Sequence, residues 1–430
     1  MLFRRALLRK RMVRALALAE SWRTTSEAEM EEQQLHALRA CWREAVANVP
    51  YYRNLVHSRQ APIDFHNLED YRSSVPILTR DVLMSRSGDF RRSQAPDGVL
   101  MTAGSSGRPL RFGTWRADPV IHTGINQWVG RLRNGMSSDD RLFLLWGHSH
   151  LLGTGFRGKW NGLLRRGKDW ALGYTRANAY HLGDEDARRY LDLIMRSRAR
   201  VVVGYACALD ILARRNMAAG RTAKRAGIKL CIACAEVFPR DDSRRLLSEL
   251  FACPVVMEYG GVDFGVCAYE LLESGRYETF WWSHFLEVEG ARRHGPLLVS
   301  NLTPRYFPLF RYRNGDECEG AELSGSGHVV SFATLKGRLN DVLEMPDGHS
   351  IHSVGLFHCI HQEPVWSIQL VVRGSSMRIR LAAAQMGVAC EARIRRRLFD
   401  LHPGLGTCPI EVVDDVSANR AGKRRWIVHE

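Results

Sequence analysis

Apolar residues recur at helical spacing through Leu35, Leu38, Cys41, Trp42 and Val46, which predicts a helix over residues 26–48 with Ser26 as its N-cap. A further helix is expected to run to Arg133, with Asp118 as N-cap and Pro119 at its first position, and residues 141–146 read as a strand. Between residues 184 and 259 the pattern alternates: helix 184–198, strand 200–204, helix 209–219, strand 229–233, helix 240–251, strand 255–259. Strand and helix in turn at this spacing predict a parallel sheet covered on both faces, with ligands at the carboxyl ends of its strands. The pattern then changes to strands near 367–372 and 377–381, a helix over 385–401 and strands at 410–413 and 425–428, which suits a small α+β unit. The expected fold is α/β: a large N-terminal domain over residues 1–335 with mostly parallel sheets covered by helices, and a small mobile α+β C-terminal domain over residues 336–430.

Composition narrows the class. With 45% hydrophobic and 25% charged residues the chain is an ordinary globular one, and no apolar run reaches the length that spans a bilayer, so no integral membrane segment is expected. The net charge of +15 suits anionic nucleotides as well as nucleic acid. No nucleic-acid module accompanies it, so no nucleic-acid partner is expected. The sharpest basic cluster, RRALLRKRMVR at Arg4 to Arg14, is either a solvated N-terminal helix or one weakly associated with an anionic membrane surface. The apolar stretch Ala15 to Ala19 is too short for a signal-peptide core, and ten scattered cysteines suggest reduced thiols, so the expected compartment is the cytoplasm.

Candidate chemistry begins at TAGSSGRP, Thr102 to Pro109. Gly104 and Gly107 permit close backbone approach, Thr102, Ser105 and Ser106 offer hydroxyls, and Arg108 carries a fixed charge: the parts of a phosphate cradle. The spacing is neither that of a P-loop nor that of a dinucleotide fold, and a Ser/Gly-rich turn between strands accounts for the same residues. His148 and His150 lack a third metal ligand, and the segment 147–170, rich in Gly, His, Lys and Arg, reads as a loop lining the substrate. Cys231 and Cys234 form a CxxC inside an apolar run, where a buried strand is the better reading.

Taken in order, several segments resemble the adenylate-forming (AMP-binding) enzyme superfamily, in its branch of phenylacetate:CoA ligases and capsule-biosynthesis ligases. PYYR at Pro50 to Arg53 and VPILTRDVL at Val75 to Leu83 are similar to its N-terminal segments, and TAGSSGRP to its phosphate loop. VVVGYACALDILA, starting at Val201, is similar to a segment of the capsule-biosynthesis subgroup. Ala235 and Glu236 stand where that family carries Gly-Glu. EYGGVDFG at Glu258 to Gly265 resembles the signature whose aromatic ring stacks on adenine and whose carboxylate binds magnesium. Tyr259, Gly260 and Gly265 match, while Val262 replaces the usual Thr and Asp263 the usual Glu. RYRNGD ends in Asp316, which the resemblance assigns to the ribose hydroxyls, although by itself RYRNGD is a strand ending in an Asn-Gly hairpin turn. LKGRLNDVLEMPDG resembles the interdomain hinge, with Arg338 toward ribose or phosphates and Asp341 at the pivot, and SANRAGKRRWIV places Lys423 as the mobile catalytic lysine.

The resemblance implies an enzyme, an adenylate-forming ligase of the acid:CoA type. ATP and a small carboxylic acid would give an acyl-adenylate and pyrophosphate, with Arg108 and Lys423 catalytic. Thr102, Gly104, Ser105, Ser106, Gly107, Glu236, Tyr259, Gly260, Asp316 and Arg338 would bind ATP or AMP, Asp263 would hold Mg²⁺, and CoA would take the acyl group. Amide formation with an amine acceptor and a catalytically inactive nucleotide-binding homologue stay open beside it, and relatives are often homodimers. Trp146, Phe264, Trp281 and Trp282 are candidates for an aromatic or acyl pocket.

Overall fold

The computed structural model describes residues 2–102, 110–118, 123–147, 155–290, 292–336, 342–360, 363–365, 367–374, 376–383, 385–414, 416 and 426–430. The chain opens with α1 (Leu2–Thr24) and α2 (Glu27–Asn48). Ser26 caps α2 in a reciprocal box: its hydroxyl accepts from the Glu29 N–H, and the Glu29 carboxylate accepts the Ser26 N–H at 3.0 Å. The apolar stripe of α2 is buried through Leu38, Cys41 and Trp42, with Trp42 edge-on to Tyr52 and Phe310.

A hairpin of β1 (Gly98–Met101) and β2 (Arg111–Thr114) and the helix α3 (Ile125–Arg133) precede the main sheet. Asp118, the expected helix cap, accepts the Trp115 N–H at 2.9 Å, the Thr114 hydroxyl at 3.2 Å and the Tyr306 N–H at 3.3 Å. The alternating half of the sequence then gives β3 (Leu142–Leu145), α4 (Gly155–Leu172), β4 (Tyr174–Ala177), α5 (Asp184–Ser197), β5 (Val201–Tyr205), α6 (Ala206–Asn216), β6 (Leu230–Cys234), α7 (Ser243–Phe251) and β7 (Val255–Gly261). Strands β4, β3, β5, β6 and β7 lie side by side and parallel, with β5 and β6 buried along their whole length. Past β7 the sheet continues antiparallel through β8 (Gly265–Leu271) and β9 (Arg276–Thr279), a mixed character that the alternating pattern does not contain.

A second sheet holds β10 (His284–Val288), β11 (His294–Asn301) and β12 (Tyr312–Glu319), with Leu78–Thr79 parallel to β12. Here the hairpin reading of RYRNGD is corrected. Arg313 pairs with Leu298 and Glu317 with Pro296, so Asn314, Gly315 and Asp316 together face the single residue Leu297. Gly315, at φ 92°, absorbs the excess as a bulge inside one continuous strand rather than turning the chain.

Two further expectations change. The segment read as a substrate-lining loop is, over residues 155–172, the helix α4, whose glycines hide a helical period in the sequence. Trp281 and Trp282 belong to the core: the Trp281 carbonyl accepts from Gln34 on α2, and Trp282 packs edge-on against Trp22 of α1. His148 and His150 lie outside the described residues. The CxxC is in β6 as expected, both thiols buried. All ten cysteines are free.

The C-terminal part comprises β13 (Val342–Glu344), β14 (Ser350–His352), α8 (Ser353–Ile360), β15 (Ser367–Arg373), β16 (Ser376–Ala382), α9 (Val388–Leu401), β17 (Ile410–Val413) and β18 (Ile427–His429). Strands β17, β16, β15 and β18 form one sheet, backed by a core of its own that includes Leu356, Phe357, Ile394, Leu398 and Trp426. The hairpin β13–β14 joins the rest of the molecule instead, since β14 pairs with His181–Leu182. Arg215 on α6 fastens that junction by donating to the carbonyls of Leu182 and Gly348 and to the Ser350 hydroxyl.

Candidate active site

The carboxyl ends of β3, β5, β6 and β7 form one edge, and the chemistry-bearing side chains gather along it. At the end of β7 the backbone turns tightly into β8: a Cβ on Gly260 would lie 2.6 Å from the Gly265 carbonyl, and one on Gly261 2.5 Å from a carboxylate oxygen of Asp263. Only glycines leave room for this turn, which buries Asp263 and leaves Val262 exposed.

The bulge of β12 brings Asp316 beside β7. Tyr259 donates its hydroxyl proton to Asp316 at 3.2 Å, and the Asn314 amide donates to the Tyr259 oxygen at 2.6 Å and to Asp316 at 3.2 Å. Burial, with Asp316 adding to it, pushes the Tyr259 phenol well above its ordinary value, so the ring stays neutral. A planar aromatic and a carboxylate are therefore held at fixed separation by a single amide.

A cationic cluster stands next to them. Arg305 is buried between Asp118 and Asp263; burial lowers its pKa to about 10 against the pull of both carboxylates, so it remains charged at neutral pH. Arg80 donates to the Thr102 hydroxyl at 3.4 Å and acts with Asp263 on the buried Tyr312. Thr102 and Leu110 clasp the base of the TAGSSGRP loop through Thr102 N–H to the Leu110 carbonyl, 3.0 Å, and Leu110 N–H to the Thr102 hydroxyl oxygen, 3.1 Å. Gly104, Ser105, Ser106, Gly107 and Arg108 lie outside the described residues, as do Arg338, Asp341 and Lys423.

Glu236 follows β6 directly after Ala235, which holds φ 70°, the left-handed conformation that suits the Gly usual at this place. The Glu236 carboxylate is buried and accepts the Cys207 N–H at 3.0 Å and the Nε2–H of His352 at 3.1 Å. His352 comes from β14, so the C-terminal part reaches the carboxyl edge of the main sheet. A collar of rings lies around it: Tyr205 stacks on Trp146 at 4.4 Å and on His352 at 5.5 Å, and Tyr180 stacks on His358 at 5.2 Å.

Thus the structure brings together Tyr259, Gly260 and Asp316, and places Asp263 and Thr102 around the Arg80, Arg305 and Tyr312 cluster. Glu236 lies at the end of β6, between β5 and β7 along the same edge, facing His352. Asn314 sits within the quoted RYRNGD and was readable there as a second polar group. Arg80 sits within VPILTRDVL without having been singled out there, and Arg305 and His352 had no sequence signal, because their roles arise from contacts with residues far along the chain.

No protein-family model matches the chain, and no curated protein matches it by sequence. Its fold is that of the adenylate-forming ligases, as expected from the ordered segments. Among solved structures it is similar to 2-hydroxyisobutyryl-CoA ligase with 2-HIB-AMP and CoA in the thioesterification state, at TM-score 0.59 and 16% identity over 95% of this chain and 91% of that one. The open conformation of the same ligase with 2-HIB-AMP and CoA gives TM-score 0.58 and 16% identity, over 95% and 93%. Its postadenylation state with R3-HIB-AMP gives 0.57 and 15%, over 95% and 91%.

Proposed function

We propose that this chain activates a small carboxylic acid with ATP and passes the acyl group to the thiol of CoA. The observation that carries the reading is the Tyr259, Asn314 and Asp316 arrangement: a neutral ring face beside a carboxylate is what an adenosine needs, one for the base and the other for the two ribose hydroxyls. The neighbouring ligase was solved with an acyl-adenylate and CoA, which supports both halves of the reaction.

In the first half an oxygen of the substrate carboxylate attacks the α-phosphorus, the bond to pyrophosphate breaks, and the acyl-adenylate forms. Anion meets anion, so cations must offset the repulsion: Arg108 and Lys423 would take the phosphates, while the buried Arg305 offsets the charges of Asp118 and Asp263. Asp263, a buried carboxylate of the hard-oxygen type, would hold Mg²⁺, which would supply further charge neutralisation. In the second half the CoA sulfur attacks the acyl carbon and AMP leaves. Residues 336–430 act as a lid turning about Asp341, with Arg338 on the nucleotide. The ring collar of Trp146, Tyr205 and Tyr180 lines the end where the acid sits, with Glu236 beside it toward the nucleotide.

Acid-dependent exchange of labelled pyrophosphate into ATP tests the first half across a panel of aromatic, fatty and amino acids. The wild type is expected to exchange with at least one acid, and Asp316→Ala and Lys423→Ala to lose most of it. Exchange with no acid favours an inactive nucleotide-binding protein. CoA-dependent AMP release tests the second half; AMP release with amines and indifference to CoA would make the chain an amide-forming ligase instead.

A further inference from the structure

Helix α4 carries its apolar stripe on the outside. Trp160, Leu163, Leu164 and Trp170 recur at spacings of three, one and six, with Gly167 between, which puts them along one helical face. Trp160 is 54%, Leu163 59%, Leu164 57% and Trp170 82% exposed. On the side of the helix that faces the protein, Leu172 packs against the core and Asp169 is buried and paired with Arg176 at 2.8 Å. An amphipathic helix of a globular domain is normally oriented the other way.

The charges around the stripe indicate what covers it. From Arg157 to Lys168 the helix carries five basic residues and its only acid is Asp169, which is turned inward; Arg166 and Lys168 are exposed. Helix α1 touches α4 and carries six basic and no acidic residues between Arg4 and Arg14, with Val13, Arg14 and Leu16 exposed. Tryptophan and leucine set among arginine and lysine on a convex helix is the composition of a helix lying in a bilayer interface, where indoles sit at headgroup level and cations meet anionic lipid. A second copy of this chain would bring the same basic surface against itself, within a net charge of +15, and be repelled.

We infer that α4, with α1 beside it, docks the protein on an anionic membrane surface as a peripheral, non-spanning contact. Among the described residues no helix is long and apolar enough to cross a membrane, so the contact stays in the interface. This inference is independent of the ligase reading, since it rests on an outer face of the molecule.

The test is co-sedimentation of the full chain with vesicles of phosphatidylcholine alone and of phosphatidylcholine with a quarter phosphatidylglycerol. Binding is expected to the second only, and to weaken several-fold when salt rises from about 0.05 M to about 0.5 M. Trp160→Ser with Leu163→Ser, Leu164→Ser and Trp170→Ser should lower the partition coefficient at least about ten-fold. Arg166→Glu with Lys168→Glu should do the same without touching the apolar residues. Far-ultraviolet circular dichroism and the unfolding midpoint check that both variants fold. In the wild type, brominated lipid should quench tryptophan emission. Absence of wild-type sedimentation with anionic vesicles overturns the proposal, as does binding that both variants retain. Concentration-dependent self-association or capture by an acidic protein, lost in the same variants without lipid binding, assigns the face to that partner instead.

Discussion

Ala235 holds a left-handed backbone that costs a β-carbon about 1 kcal/mol or more. Ala235→Gly relieves that strain, and after the extra chain entropy of glycine is subtracted it should stabilise the fold by about 0.5–1 kcal/mol in urea unfolding; a destabilised variant would contradict the strain argument. Tyr259→Phe removes one oxygen and strands two partners, Asn314 and Asp316, in a buried place. A loss of about 1–2 kcal/mol is expected, with AMP binding weakened in calorimetry by the loosening of Asp316. Two buried histidines contribute to the response to acid. Burial holds His284 at about 4 and His328 at about 3, below the usual 6.5. Below about pH 6.5 the unfolded chain takes up protons that the native rings refuse, so stability falls as pH drops from there to about 4 and on to about 3, by up to about 1.4 kcal/mol per pH unit for each ring. Unfolding curves at pH 7, 6 and 5 should show that slope, and His284→Gln should flatten it; equal slopes would show that other groups set it.

At the scale of elements, the best-read helix is also the simplest to test. Ser26→Ala removes the hydroxyl half of the capping box on α2 and should cost about 1 kcal/mol, read as a lower unfolding midpoint. Local chemistry sufficed there because a cap concerns residues three apart. The bulge of β12 could not be read in the same way. Asn-Gly serves a hairpin and a bulge equally well, and the choice was made by β11, whose pairing resumes at Pro296 on the far side of Leu297. Helix α4 was obscured for a related reason: its glycines argue for loop, and its apolar face has no buried counterpart from which a period could be inferred.

For the whole molecule, the junction of β14 with His181–Leu182 matters most, because it fixes where the C-terminal part meets the main sheet. Arg215→Ala removes three donors from that junction and should raise amide exchange in β13 and β14 several-fold while leaving β5 and β6 protected; unchanged exchange would mean the strand pairing alone carries the contact. The alternation of strand and helix from residue 184 to 259 was sufficient to determine three of the five parallel strands and the edge formed by their carboxyl ends, since hydrophobic periodicity depends only on near neighbours; the strand at Tyr174–Ala177 was not legible in it. The ordered segments likewise named Tyr259, Asp263 and Asp316. What tertiary structure alone decided is how these residues face one another: Asn314 between ring and carboxylate, Arg305 between two aspartates, His352 against Glu236. Each of those contacts joins residues from distant parts of the chain or depends on a register set by another strand, and a linear pattern carries no information about such distances.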